Sequence, residues 1–304
     1  MKIYKDVLLE WWDDYKMTLR PSTAHTKEVY IKAHIVPELG EVGVKKITPE
    51  ILKEFVKKLV KKRLASSTIE KIFSIVKAAL SWMAEKGYIK TNPAQEVVLP
   101  KVEPTEVEAF SIDEVFSILE AASPKWFRNA IEISFRTGMR RGEIFGLKWA
   151  DIDFENRLLQ IKRTVSATKV NERLVGPPKT NSSIRAVMLD DELLWLLKGL
   201  KEIAQSEWVI ENSRGVPPSP WRVPEYMKAA CIKAGVKPRK FHALRHTHAT
   251  IGLTAGVNPK IIQERLGHSK VGTTLGVYSH CIPSMQGQVV AAFNKIKKDN
   301  DSDE

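Results

Sequence analysis

Ten residues near the first third of the chain constrain its folding more than any others. The run LPKVEPTEVE, Leu99 to Glu108, carries two prolines, several charges and no hydrophobic period, while apolar residues recur every three or four positions on both sides of it. Proline has no N–H to give and pushes the preceding residue out of the helical region, so neither a helix nor a strand is expected to cross this run. The chain therefore has to fold as two units joined by a linker. The expected division is a helical domain at 1–98, a linker at 99–108, a second domain at 109–283, and a short helix with an acidic tail, DNDSDE, at 284–304.

The first unit reads as helices throughout. Val7, Leu8, Trp11, Trp12, Tyr15 and Leu19 fall at three- and four-residue steps, predicting a helix that Pro21 ends. A second helix is expected over 23–36, stopped by PELG at 37–40. Thr48, Pro49 and Glu50 place a capping hydroxyl before a first-turn proline, opening a third helix through ILKEFVKKLVKKR. Ser66, Ser67 and Thr68 are read as caps of a fourth, running to about Lys86 with Ile69, Ile72, Ile75, Val76, Leu80 and Trp82 on its apolar face. Lys57, Lys58, Lys61, Lys62 and Arg63 crowd the end of the third helix, and Lys71 and Lys77 lie off the apolar face of the fourth. They are candidate phosphate contacts, although basic residues at a helix end also complement the macrodipole in a purely structural way.

In the second unit, Ser111 and Glu114 form the capping-box pair before VFSILEAA. Residues 128–137 read as helix, and in RTGMRRGEIFGLKW the core stripe is Ile144, Phe145 and Leu147, with Arg140, Arg141 and Glu143 outside it. After Asp151 the period changes to two. RLLQIKRTV, NERLVG and SIRAVML alternate, predicting a small three-stranded antiparallel sheet with Lys179 in the turn between the second and third strands. Helices return at Asp190 and at about 224–234.

The chemistry is concentrated between Phe241 and Cys281. His242 and Arg245 are three apart, so a helix would project both from one face. His268 follows, and Tyr278 is the only tyrosine beyond it. A guanidinium and two imidazoles can hold phosphate oxygens, and a phenol can attack phosphorus to leave an aryl phosphodiester. A zinc site made by His242, His246 and His248 is the competing reading. It is disfavoured because the residues between the first two are ALR, without the glutamate of the HExxH pattern, and no cysteine or carboxylate stands nearby in sequence.

Composition narrows the partner. The net charge is +12 and the sequence pI about 9.5, which suit an anionic partner, with nucleic acid first. Only Cys231 and Cys281 occur, too few for a disulfide framework and fitting a reducing cytosol. The opening MKIYKDVLLEWWDDYK is interrupted by charge and predicts no signal peptide, and no apolar run is long enough to span a bilayer.

Taken together, TGMRRGEIFGLKW, PPKTNSSIRAVML, HALRHTHAT and LGHSKVGTTLGVYSH resemble, in order, the boxes of the tyrosine recombinases, the phage-integrase type of site-specific recombinase. The resemblance implies a mainly α fold with a small antiparallel β-sheet: a helical, SAM-like core-binding domain followed by an α+β catalytic domain. It also implies Arg140, Lys179, His242, Arg245, His268 and Tyr278 as the catalytic set, Tyr278 being the nucleophile, with Glu143 as the acidic residue of the first box. Arg141, beside Arg140, is left as structural or DNA-facing. In many members the tyrosine stands one residue earlier, where this chain has Val277; a subset of phage and conjugative-element integrases resemble the longer spacing found here.

What the resemblance implies about activity follows. Tyr278 would cut DNA through a 3′-phosphotyrosyl intermediate, without ATP, cofactor or metal, the arginines neutralising the charge that builds on the phosphate. The implied partners are double-stranded DNA recombination sites, three further copies of the chain in a homo-tetramer on two duplexes, and an accessory directionality or bending factor. No membrane is involved, and the setting is a prokaryotic cytoplasm in association with the nucleoid. Integration or excision of a phage or mobile element is the expected task. A Xer-like chromosome or plasmid dimer resolvase and a non-catalytic sequence-specific DNA-binding protein are the alternatives, and a type IB topoisomerase fits the boxes less well. Relatives of the element-integrase type often carry an additional N-terminal arm-site domain; here the bundle begins almost at Met1, so regulation through arm sites is not expected.

Overall fold

The computed structural model describes residues 2–102, 108–169, 171–178 and 181–268, with Asn181 described by its backbone alone. The chain separates into two compact units, Met1–Thr105 and Glu106–Glu304. Among the described residues no helix is long and apolar enough to cross a membrane.

The first unit packs α1 (Tyr4–Met17), α2 (Pro21–Tyr30), α3 (Val36–Leu39), α4 (Pro49–Lys61) and α5 (Ser66–Glu85). Tyr4, Leu8, Ile35, Leu52, Leu59, Ile72 and Leu80 are fully buried between them. Pro21 does not simply stop α1, which ends at Met17. It opens α2 at its first turn, and Arg20 before it is extended (φ −65°, ψ 145°). The PELG stop is corrected as well, since helical turns continue to Leu39 through a π segment, Ile31–Ile35, whose wide turn is closed by the Val36 N–H donating to the Ile31 carbonyl. Pro37 needs no N–H partner there, and the widened turn before it accommodates its ring. Thr48 caps α4 by accepting from the Ile51 N–H at 3.4 Å. In α5 the expected cap is one residue off. Ala65 is the N-cap and makes no side-chain bond, while Ser66, Ser67 and Thr68 lie inside the helix.

In the second unit the Ser111–Glu114 capping box closes as its sequence predicts, with reciprocal bonds of 3.1 and 2.8 Å. It starts α6 (Ile112–Ala121), which is followed by α7 (Lys125–Thr137) and α8 (Arg141–Phe145). The strands are β1 (Ile152–Asp153), β2 (Leu158–Ile161), β3 (Thr164–Ser166), β4 (Leu174–Gly176) and β5 (Arg185–Met188), and α9 (Asp191–Glu202), α10 (Val223–Lys233), α11 (Ala243–Thr254) and α12 (Pro259–Leu266) complete the order.

The three-stranded antiparallel sheet exists, but with different members. Its order is β1-β2-β5, with Leu159 opposite both Ile152 and Val187. β3 and β4 form a separate ribbon, Val165 opposite Val175. RLLQIKRTV is thus two strands rather than one. It breaks at Lys162 and Arg163, where the Arg163 guanidinium turns in to bind the Asp151 carboxylate. β1 was hidden from a period-two search because it is only two residues long. Phe127, Ile131, Phe145, Leu159, Val187 and Leu244 belong to the main core of this unit, and α11 packs on α12 through the smaller cluster of Ala249, Leu253, Ile262 and Leu266.

Candidate active site

Three segments bring Arg140, His242, Arg245 and His268 together: the turn after α7, the start of α11 and the end of α12. α7 stops at Gly138 in a left-handed conformation (φ 67°), and the chain then runs extended through Arg140 into α8. Arg140 is fixed at both ends of its side chain. Its backbone N–H donates to Glu143 Oε2 (2.9 Å) and its Nη1 to Glu143 Oε1 (2.8 Å), while its Nη2 reaches the Gly267 carbonyl (3.0 Å).

His242 is the N-cap residue of α11 and Arg245 lies in its first turn, as the three-residue spacing predicts. Arg245 is 1% exposed, and its Nη1 and Nη2 donate to the carbonyls of Gly138 and Leu266, both at 2.7 Å. His268 comes directly after α12 and its Gly267 cap. It is held by its backbone, its N–H donating to the Gln263 carbonyl (3.1 Å) and its carbonyl accepting from Gln263 Nε2 (2.6 Å). Gly267 has φ 66°, and a Cβ there would lie 2.7 Å from the Ser182 carbonyl, so only glycine allows this close approach.

Three consecutive carbonyls at the end of α12 each accept from a different arginine: Arg265 from Arg185 (2.6 Å), Leu266 from Arg245 and Gly267 from Arg140. The last carbonyls of a helix have no partner within it and carry the negative end of its dipole, so guanidiniums suit them. Each of these arginines is thereby held from behind.

Cationic surroundings and burial also set the imidazoles. Burial first, then His246, Arg245, Arg140 and His268, lower the His242 pKa to about 3. Burial followed by Arg245 and Arg140 lowers that of His268 to about 4. Both rings are therefore neutral at pH 7, and a neutral imidazole can accept a proton.

The remaining expectations divide. Glu143, placed outside the core stripe from sequence, is 3% exposed, because two arginines, Arg140 and Arg185, compensate its charge. Arg141 is half-buried and has no ion pair among the described residues; loss of hydration lowers its pKa. Lys179 and Tyr278 lie outside the described residues. The basic candidates of the first unit are exposed, but Lys58 and Lys62 both bind Glu38 (3.0 and 2.8 Å) and Lys57 faces Glu54 at 3.5 Å, which offsets part of that patch. Lys61, Arg63, Lys71 and Lys77 are exposed too.

The zinc alternative loses its third ligand by geometry. His248 Nδ1 is 2.9 Å from the Phe135 carbonyl and its Nε2 accepts from Arg265 Nε (3.0 Å), while the His242 and His246 rings meet edge to face at 4.8 Å. Sequence reasoning missed Arg185, Gln263 and the His248–Arg265 pair. The signal for Arg185 was weak, a lone arginine in an alternating strand that gives no sign of the buried carboxylate it meets.

A helical first unit followed by an α+β unit, with two arginines and two neutral imidazoles converging at helix ends, defines a class of site built to hold an anionic group such as a phosphodiester. Comparison with known proteins agrees: residues 107–284 match the phage integrase family and residues 3–60 the phage integrase N-terminal SAM-like domain. The chain belongs to the phage integrase family, the tyrosine recombinases, and is a site-specific DNA recombinase. It is 29% identical to a XerC-like tyrosine recombinase of Caldanaerobacter subterraneus, over 96% of this chain and 82% of the relative. It is 28% identical to the ICEBs1 integrase of Bacillus subtilis, over 91% and 78%. In fold it is similar to the Tn1549 transposon integrase in complex with transposon right end DNA (TM-score 0.81, 20% identity, 95% of this chain and 99% of the other). A lambda integrase dimer bound to a COC′ core site is also similar (TM-score 0.69, 24% identity, 87% and 96%).

Proposed function

We propose that this recombinase integrates or excises a mobile element, cutting double-stranded DNA with Tyr278 and working as a homo-tetramer on two duplexes. The observation that carries the catalytic part is the anchoring of Arg140 and Arg245 by backbone carbonyls beside two neutral imidazoles.

The Tyr278 phenolic oxygen attacks the phosphorus, and its proton passes to His242. As the new P–O bond forms, the bond to the 5′ oxygen breaks, and that oxygen takes a proton from Lys179. Arg140, Arg245 and His268 donate to the nonbridging oxygens, where charge develops. The phosphotyrosyl link keeps the energy of the broken bond, so a 5′-hydroxyl from the second duplex reverses the step and joins new partners. Arg141 and Lys61, Arg63, Lys71 and Lys77, which have no ion pair among the described residues, would contact the DNA backbone, and Lys57, Lys58 and Lys62 would do so after exchanging their carboxylate partners for phosphate. The longer His–Tyr spacing supports an element integrase over a dimer resolvase, while likeness to the XerC-like recombinase and to the ICEBs1 integrase is similar in extent and favours neither.

Covalent trapping tests the reading. Nicked duplexes tiled across the DNA flanking the coding sequence should give a denaturation-resistant protein–DNA adduct with the wild type and none with Tyr278→Phe. Specific binding without an adduct would favour a non-catalytic DNA-binding protein, and an adduct that survives in the variant would assign the nucleophile elsewhere.

A further inference from the structure

Glu143 is a single buried carboxylate shared by two guanidiniums. Arg140 donates to Oε1 at 2.8 Å, and Arg185 grips both oxygens, its Nη1 3.3 Å from Oε1 and its Nη2 3.1 Å from Oε2. The Arg185 side chain is 7% exposed. Its other donors go to backbone, Nε to the Arg265 carbonyl at 2.6 Å and Nη1 to the Ser183 carbonyl at 3.1 Å. Burial pushes the Glu143 carboxyl up, but Arg185 and then Arg140 outweigh it and hold it below the usual range, so the carboxylate stays charged.

Arg140 has Glu143 on one side and the Gly267 carbonyl on the other as its close anchors, with a longer bond of 3.5 Å to Ser183 Oγ. Arg185 holds both: it binds Glu143 directly and pins the carbonyl two residues before Gly267. Two positive charges against one negative leave a net positive cluster. Without Arg185, Glu143 would keep only the Arg140 N–H on Oε2 and Nη1 on Oε1 and could turn to close a bidentate fork on the Arg140 guanidinium, the geometry that carboxylate and guanidinium prefer. That fork would turn the Arg140 donors away from the phosphate and cancel their charge.

We propose that Arg185 is a positioning residue for strand cleavage, which occupies Glu143 and the end of α12 so that Arg140 keeps both its aim and its uncancelled charge for the scissile phosphate. The inference rests on the reading of Arg140 as a phosphate-binding group.

The test compares wild type, Arg185→Gln, Glu143→Gln and the double variant on the nicked duplexes, measuring thermal melting, duplex affinity and the rate of adduct formation at saturating DNA. Arg185→Gln should bind DNA within about threefold of wild type and form adduct about 100-fold more slowly, the scale of a misplaced catalytic group. The double variant should recover about tenfold over Arg185→Gln, because the carboxylate that captures Arg140 is gone. A merely structural role gives no such recovery. An Arg185→Gln rate within about threefold of wild type, or a double variant no faster than the single, overturns the proposal while leaving the phosphotyrosyl reading intact. Absence of any wild-type adduct overturns that reading and this one with it. Should Arg185→Gln fail to fold, the double variant is compared with Glu143→Gln. Equal adduct rates support the proposal, since Arg185 then has no carboxylate to restrain, and a slower double variant overturns it.

Discussion

Arg245 carries a full charge at 1% exposure, and the structure shows why this is tolerated: two of its donors meet carbonyls at 2.7 Å. Truncation would therefore act twice. With Arg245 acting on the phosphate as proposed, Arg245→Gln would remove a donor from the developing charge, at a cost on the order of 100- to 1000-fold in cleavage rate. It also leaves the carbonyls of Gly138 and Leu266 with lost bonds, at about 1–3 kcal/mol for each group left unsatisfied. Single-turnover adduct formation and a denaturant midpoint should both fall, and an unchanged rate in a folded variant would remove Arg245 from the catalytic set. Arg245 and His242 were legible in the sequence because three-residue spacing on a helix fixes a shared face. Arg140 was legible only through its box. Glu143 and Arg185 were misread or missed because their burial depends on each other, and neither position alone shows that its charge is compensated.

Among the elements, α12 decides the geometry of the site. Its last carbonyls take three arginines, and its left-handed Gly267 cap turns the chain so that His268 follows at once. Gly267→Ala would strain φ 66° and press a methyl against the Ser182 carbonyl at 2.7 Å and against Arg185 Nη1 at 3.0 Å. It should cost more than about 1 kcal/mol of stability and also slow adduct formation. Gly235→Ala is the control. It has φ 69° but open space around the added methyl, so it should share the backbone strain and leave the cleavage rate alone. Equal effects of both substitutions on cleavage would deny α12 its role. Most helices were readable from period and caps, the Ser111 box to the residue, but α5 starts one residue away from its expected cap and α12 was not anticipated. The sheet was harder, because a two-residue strand has no period to detect and because Arg163 leaves its strand to meet Asp151, a choice made by tertiary contact.

Over the whole molecule, the response to acid should be uneven. Burial, the largest cause for each, lowers His246, His248 and His268 to about 4; His242 is lowered to about 3 but is exposed, and all four lie in the second unit. In the unfolded chain a histidine titrates near 6.5. Between about pH 6.5 and 4 the unfolded state therefore binds protons that the folded state refuses, so stability is full above about 6.5 and is lost as pH falls, by about 1.4 kcal/mol per pH unit for each of His246, His248 and His268, and by less for His242, whose exposure to solvent screens it. The first unit has one lowered histidine, His34, and its lowered carboxylates Glu28, Glu38 and Glu50 lose their contribution only as pH falls below the ordinary carboxylate range. Hydrogen exchange read by peptide should show α11 and α12 losing protection between pH 6.5 and 5 while α4 and α5 keep theirs. Parallel loss in both units would refute a localised histidine origin. Replacing His248 by phenylalanine should reduce the acid slope by about one proton's worth, because that ring is enclosed by Phe135 and Arg265, and its protonation would set an N–H against the Arg265 donor.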